Sequence, residues 1–234
     1  MKNYILPAFI FSLGIALGGY FIGNGFIKSK YFDQYVTVKG LSEREVKADL
    51  AIWPISFTIV SNDLVELERL LKEQTTIISE YLAEKGINET EISIGAPSIN
   101  DLRANYYGGN NYNPFRYMAK GKITVQTTSI ENINNAITEI SDLLSKGIVI
   151  EQDEYRNKVD YQYTRLNEIK PDMIREATLN AREAAMKFAE DSGSKVGKIR
   201  KATQGYFSIS DRDINSPHIK TVRVVTTIEY FLED

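Results

Sequence analysis

The chain has 234 residues, 28 Lys and Arg against 31 Asp and Glu, a formal charge of −3, and 43% apolar residues. This is globular composition with too little positive charge for a face that grips nucleic-acid phosphates, so nucleic acid is not an expected partner. With no cysteine and a single histidine, His218, disulfides, thiol nucleophiles, cysteine metal sites and any site built on two histidines of one chain are excluded.

The N-terminal segment differs from the rest. From Asn3 to Ile27 no residue is charged, and Lys2, Lys28 and Lys30 bound the stretch. About 20 apolar residues cross a hydrocarbon core, so residues 1–30 are expected to form an uncleaved transmembrane anchor. The rival reading is a cleaved signal peptide, whose apolar region would be shorter, roughly 7–15 residues, and followed by a small-x-small site. Here the apolar run continues through Tyr20, Phe21, Ile22 and Phe26. Gly14 with Gly18, and Gly19 with Gly23, carry the spacing that lets membrane helices approach closely. The alternative for these four is the general frequency of glycine in membrane helices. Lysines flank both ends, so charge alone does not orient the span; the short N-terminal side places residues 31–234 outside the cytoplasm.

Beyond Tyr31 no linker or low-complexity tract interrupts the chain, and one α+β domain is expected over 31–234. Tyr35–Leu41 and 45–60 read as strands around a turn at Ser42, Glu43 and Arg44. A helix is predicted over 63–85, capped by Asn62 or Ser61, with Leu64, Leu67, Leu71, Ile78 and Leu82 on one stripe and Gly86 at its end. Residues 92–102 and 117–127 form a long hairpin. A second helix over 130–146 is capped by Ser129, carries Ile130, Ile133, Ile137, Ile140 and Leu144, and ends at Gly147. Residues 158–166 alternate as a strand. A third helix starts at Pro171, carries Ile174, Ala177, Ala181, Ala184, Ala185 and Phe188, and ends at Gly193. Strands over 198–209 and 220–232 close the chain. Alternation with one polar face predicts mainly antiparallel sheet with three packed helices, preceded by the anchor.

Three stretches carry a resemblance. Val36-Thr37-Val38-Lys39-Gly40, followed by Val46 to Ala51 around Asp49, resembles the opening of SIMPL-domain (DUF541) proteins. Tyr117 and Ala119 leading to Ile123 and Val125 are similar to the family's middle. Ala177, Ala181, Arg182, Ala185, Phe188 and Ala189, then Gly193, Gly197 and Lys198, resemble its best-marked segment. The match runs over about 34–233; Ala48 departs from it, standing where the family commonly has Pro. The resemblance implies a mostly bacterial, signal- or anchor-bearing protein of the periplasm or cell envelope, able to self-assemble, with links to oxidative-stress defence and to scaffolding of signalling complexes. It supplies no catalytic residues, and gives Gly40 and Asp49 structural duties.

The residues themselves offer little chemistry. His218 follows Pro217 in a loop without a spaced base or orienting partner, and is read as solvated. Glu151, Asp153 and Glu154 lack the spacing of a calcium loop and are read as a solvated turn. Gly193, Gly197 and Lys198 follow a helix instead of preceding one, so a phosphate loop fails on order. The stretch 103–116 sets Tyr106, Tyr107, Tyr112 and Phe115 among Gly and Asn. Such loops suit subunit or partner contact, carbohydrate or peptidoglycan contact, or an unengaged hairpin tip. Tyr206 and Phe207 lie in a second loop, 205–217. A carboxylate-only hydrolase would need two paired carboxyls, and none is nominated. The expectation is a non-enzymatic envelope homo-oligomer without metal or cofactor, held in the membrane by its first helix; the alternative is a module holding a glycan, lipid or protein through loop 103–116.

Overall fold

In the computed structural model, which describes residues 5–31, 34–104, 114–151 and 157–233, the first helix, α1, runs from Ile5 to Tyr31. Among the described residues no helix is long and apolar enough to cross a membrane.

Alternation continues through the predicted turn at residues 42–44, so β1 is one strand, Tyr35–Lys47. The reason is a tertiary contact: Glu176 accepts hydrogen bonds from Ser42 Oγ and Arg44 Nη2, both at 3.0 Å, which fixes the segment as strand. The turn falls instead at Ala48 and Asp49, before β2 (Leu50–Ser61).

Next comes α2, Leu64–Glu84. Its cap is Asp63 in place of Asn62 or Ser61, because Asp63 Oδ1 accepts from the Val65 and Glu66 N–H groups at 2.8 and 2.9 Å. Leu67, Ile78 and Leu82 are buried as predicted, whereas Leu64, in the first turn, is exposed. The hairpin strands are β3 (Ile92–Asp101) and β4 (Tyr117–Thr127).

The second predicted helix is two: α3, Ile130–Thr138, and α4, Ser141–Ser145. The break at Glu139 and Ile140 resets the helical phase, so Leu143 is buried and Leu144 points outward. Ser129 makes no side-chain cap bond; its N–H donates to Thr127 Oγ1 at 3.0 Å. The expected strand over 158–166 shrinks to β5, Asp160–Gln162.

The third predicted helix, α5, is Leu166–Ser192 and encloses Pro171 instead of starting there. Its buried residues are Met173, Ala177, Ala181, Ala185 and Ala189, a strict four-residue repeat, while Ala184 and Phe188 are exposed. Strands β6 (Lys195–Gln204), β7 (Ser208–Asp211) and β8 (Ile219–Glu233) complete the chain. Gly86, Gly147 and Gly193 have φ of 80°, 79° and 72° and end their helices in the left-handed region, as the sequence predicts.

The strands form two four-stranded sheets, β1-β8-β6 with β7 on β8, and β3-β4-β2-β5. Pairs β2–β4, β2–β5, β3–β4 and β6–β8 are antiparallel. The described chain divides into two compact units, one of Met1–Arg44, Asn167–Ser208 and Val222–Asp234, the other of Glu45–Leu166 and Ile209–Thr221. In the first, Ala181 and Ala185 of α5 pack with Val36, Ile228 and Tyr230 of the sheet. The second holds the larger core, in which Trp53, Ile55 and Phe57 of β2 and Ile123 and Val125 of β4 meet Leu67, Ile78 and Leu82 of α2.

Candidate functional site

In the second unit a cleft of about 470 Å³ is lined by Lys47, Thr128, Ser129, Glu131, Asn134 and His218, among others. His218 is half-buried here and not a fully solvated loop residue. Its carbonyl accepts from the Ala48 N–H at 2.8 Å, a bond that proline at 48 would lack. The imidazole stands edge-on to Tyr161, ring centres 6.1 Å apart. Tyr161 in turn donates to Asn134 Oδ1 at 2.5 Å, and its burial pushes the phenol pKa up. Among the described residues no carboxylate or hydroxyl is hydrogen-bonded to the His218 ring. The sequence signal missed here was Tyr161, an aromatic at a core position of a very short strand.

Beside Ala48, Asp49 holds the chain where it leaves β5. Asp49 Oδ1 accepts from the Thr164 N–H (2.8 Å) and Thr164 Oγ1 (2.9 Å), and Oδ2 accepts from Arg165 Nε (3.0 Å). Burial alone would raise this carboxyl, but these donors together hold it below its ordinary value. Asp49→Ala is expected to cost about 1.5–3 kcal/mol, the range for hydrogen bonds to a charged group. A carboxyl depressed in the folded state stabilises above its unfolded pKa, and that contribution is lost as pH falls through the folded pKa. The wild type should therefore lose more stability than Asp49→Asn between about pH 5 and pH 2, read as urea midpoints at each pH. Parallel midpoints for the two proteins would refute the assignment.

Gly40 also has the structural role expected of it. A Cβ built there would lie 1.8 Å from the Ala177 carbonyl oxygen and 2.5 Å from the Ala181 nitrogen. The backbone of α5 thus crosses directly over β1.

The aromatic candidates separate. Tyr106, Tyr107 and Tyr112 lie outside the described residues. Phe115 is exposed at the base of their loop. That base is clamped, for the Arg116 N–H donates to Asn62 Oδ1 at 3.0 Å and Arg116 Nε to Asp101 Oδ2 at 3.1 Å. Tyr206 is fully exposed, while Phe207 lies under the Lys170 ammonium, 5.5 Å from its ring centre. In α1, a Cβ at Gly14, Gly18, Gly19 or Gly23 would meet nothing within 4 Å. Of the acidic trio, Glu151 accepts from Thr58 and pairs with Lys120 at 2.5 Å; Asp153 and Glu154 lie outside the described residues. Among the described residues no three His, Asp or Glu side chains are grouped to hold a metal ion.

Two antiparallel sheets, an alanine-faced helix pressed onto a glycine of the first strand, and an acidic clamp between the first and second strands describe a particular α+β class. The SIMPL family, described as protein of unknown function (DUF541), matches residues 36–224, and the chain belongs to it. No curated protein matches the chain.

Proposed function

We propose that this SIMPL protein is a non-enzymatic component of the cell envelope, anchored by its first helix with the folded part outside the cytoplasm, and that it self-assembles into an oligomer or scaffold serving stress defence. The observation that carries the reading is α1. From Ile5 to Ile27 it carries no charged residue, and Phe9, Ile10, Phe11, Ile15, Phe21 and Ile22 are all exposed. These positions fall on every side of the helix, and a helix apolar all round belongs in a core or a membrane. The open space at Gly14, Gly18, Gly19 and Gly23 suits close approach of a second such helix.

The test is fractionation of cells making the full chain. The protein should sediment with membranes, resist alkaline carbonate, dissolve in detergent and be digested by protease added to the outer face; in detergent its mass should exceed one chain. Recovery in the aqueous fraction would refute the anchor, and a single-chain mass at every concentration would refute self-assembly. A second reading, a binding module that holds a glycan, lipid or protein through loop 103–116, is supported by the clamp at the loop's base.

A further inference from the structure

We propose that the free edge of β1 is the surface through which a second copy of this chain pairs, as an antiparallel strand across a two-fold axis at Leu41. The inference rests on the self-assembly reading above and adds the interface.

Unpaired edge strands invite pairing with another chain, and proteins that must stay single guard them with prolines, bulges, like charges or short length. Four of the five outer strands here are guarded in those ways. In β3, Pro97 sits within a register shift between Gly95 and Ser98. β6 carries Lys195, Lys198, Arg200 and Lys201 and two register shifts against β8. β5 has 3 residues and β7 has 4. The fifth, β1, has 13 residues, no proline, and β8 as its strand neighbour in the sheet.

The side-chain order of β1 is self-complementary. Burial alternates strictly from Tyr35 to Glu43, with the odd-numbered residues exposed. A two-fold axis at Leu41 sets Lys39 opposite Glu43 of the second copy and Glu43 opposite its Lys39, while the two Leu41 side chains, 41% exposed in the single chain, meet on the axis. Two opposite-charge cross-strand pairs and one apolar pair are then made from one patch, which is what an isologous interface requires. Lys39 has no ion-pair partner among the described residues, and Glu43 has only a loose one, Arg223 at 3.9 Å. Asn180 Nδ2 donates to the Leu41 carbonyl at 2.8 Å, which leaves that oxygen its second lone pair.

The absence of cysteine makes the register directly testable in the full chain in detergent. Leu41→Cys is expected to give a covalent dimer on mild oxidation, since directly opposed strand residues lie within the Cα separation a disulfide needs. Lys39→Glu or Glu43→Lys alone should weaken association roughly tenfold or more, by turning both pairs repulsive. The double swap K39E/E43K should restore it. An oligomeric wild type whose Leu41→Cys variant stays single-chain on oxidation, or whose charge swap fails to restore assembly, would overturn the β1 interface and leave self-assembly standing through another surface. A single-chain wild-type mass would remove both.

Discussion

Gly40→Ala should lower stability by about 3 kcal/mol or more, the upper end of the cost of overpacking, and should shift the thermal midpoint down by about 6–12 °C for a chain of this size. The cause is space and not backbone freedom: Gly40 has no positive φ, yet its Cβ would stand 1.8 Å from the Ala177 oxygen and 2.9 Å from the Ala177 carbonyl carbon. Those are backbone atoms of a 27-residue helix, so no rotamer change relieves the contact. Either α5 lifts from β1 or β1 bends. Lifting α5 opens a small core in which Ala181 and Ala185 touch Val36, Ile228 and Tyr230, and it strains the bonds from Ser42 and Arg44 to Glu176. Chemical denaturation of the full chain in detergent measures the loss. Ala177→Gly in the same chain should not rescue Gly40→Ala, because the clash is with the carbonyl and not the methyl. A Gly40→Ala midpoint within about 0.5 kcal/mol of wild type, the spread of ordinary surface substitutions, would refute backbone-to-backbone packing at this position.

That contact shows what the sequence could and could not convey. The alanine run of α5 announced close packing, and Gly40 stood out as a strand residue at the end of a family-like motif. Which alanines face the sheet was not legible. A predicted stripe of Ile174, Ala177, Ala181, Ala184, Ala185 and Phe188 spreads over too wide an arc. Backbone contact selects a single line of residues spaced by four, 173 to 189, and leaves Phe188 exposed. The turn predicted at residues 42–44 failed for a related reason. Ser, Glu and Arg are turn-like in isolation, but Glu176, more than 130 residues away, holds two of them in the strand. The choice of Asp63 as helix cap is not legible because three good capping types stand in a row at 61–63, and spacing alone does not choose among them.

The candidate site was less legible than the fold. His218 could be set aside as a catalyst for want of a partner in sequence, but its place in a cleft wall depends on Ala48 and Tyr161, which meet it only through tertiary structure. The edge of β1 could not be read from sequence either. Lys39 and Glu43 are an ordinary pair of strand charges until the sheet order leaves their strand at an end.

In the larger core, Phe57→Ala should cost about 3–5 kcal/mol, as expected for truncating a buried aromatic. Phe57 is fully buried and lies directly across from Gly121 in the β2–β4 register. Its ring covers that glycine so closely that a Cβ at 121 would lie 2.3 Å from Cζ and 2.6 Å from Cε1. Gly121→Ala should therefore destabilise by about 1–3 kcal/mol, since the ring can leave only by displacing its neighbours in the core. The two effects must be coupled. With Phe57→Leu in place the ring is absent, the space over residue 121 is open, and the added methyl fills part of the volume left behind. Gly121→Ala should then cost at least about 1 kcal/mol less in the Phe57→Leu background than in wild type, a coupling within the range for residues in contact. Denaturation midpoints of the four proteins of this cycle give the number. Strict additivity would mean that residue 121 needs glycine for the β3 side, where the register shifts between Gly95 and Ser98, and that the ring is incidental. A coupling of the expected size makes Phe57 and Gly121 one packing unit, which fixes β2 against β4 at the centre of the sheet.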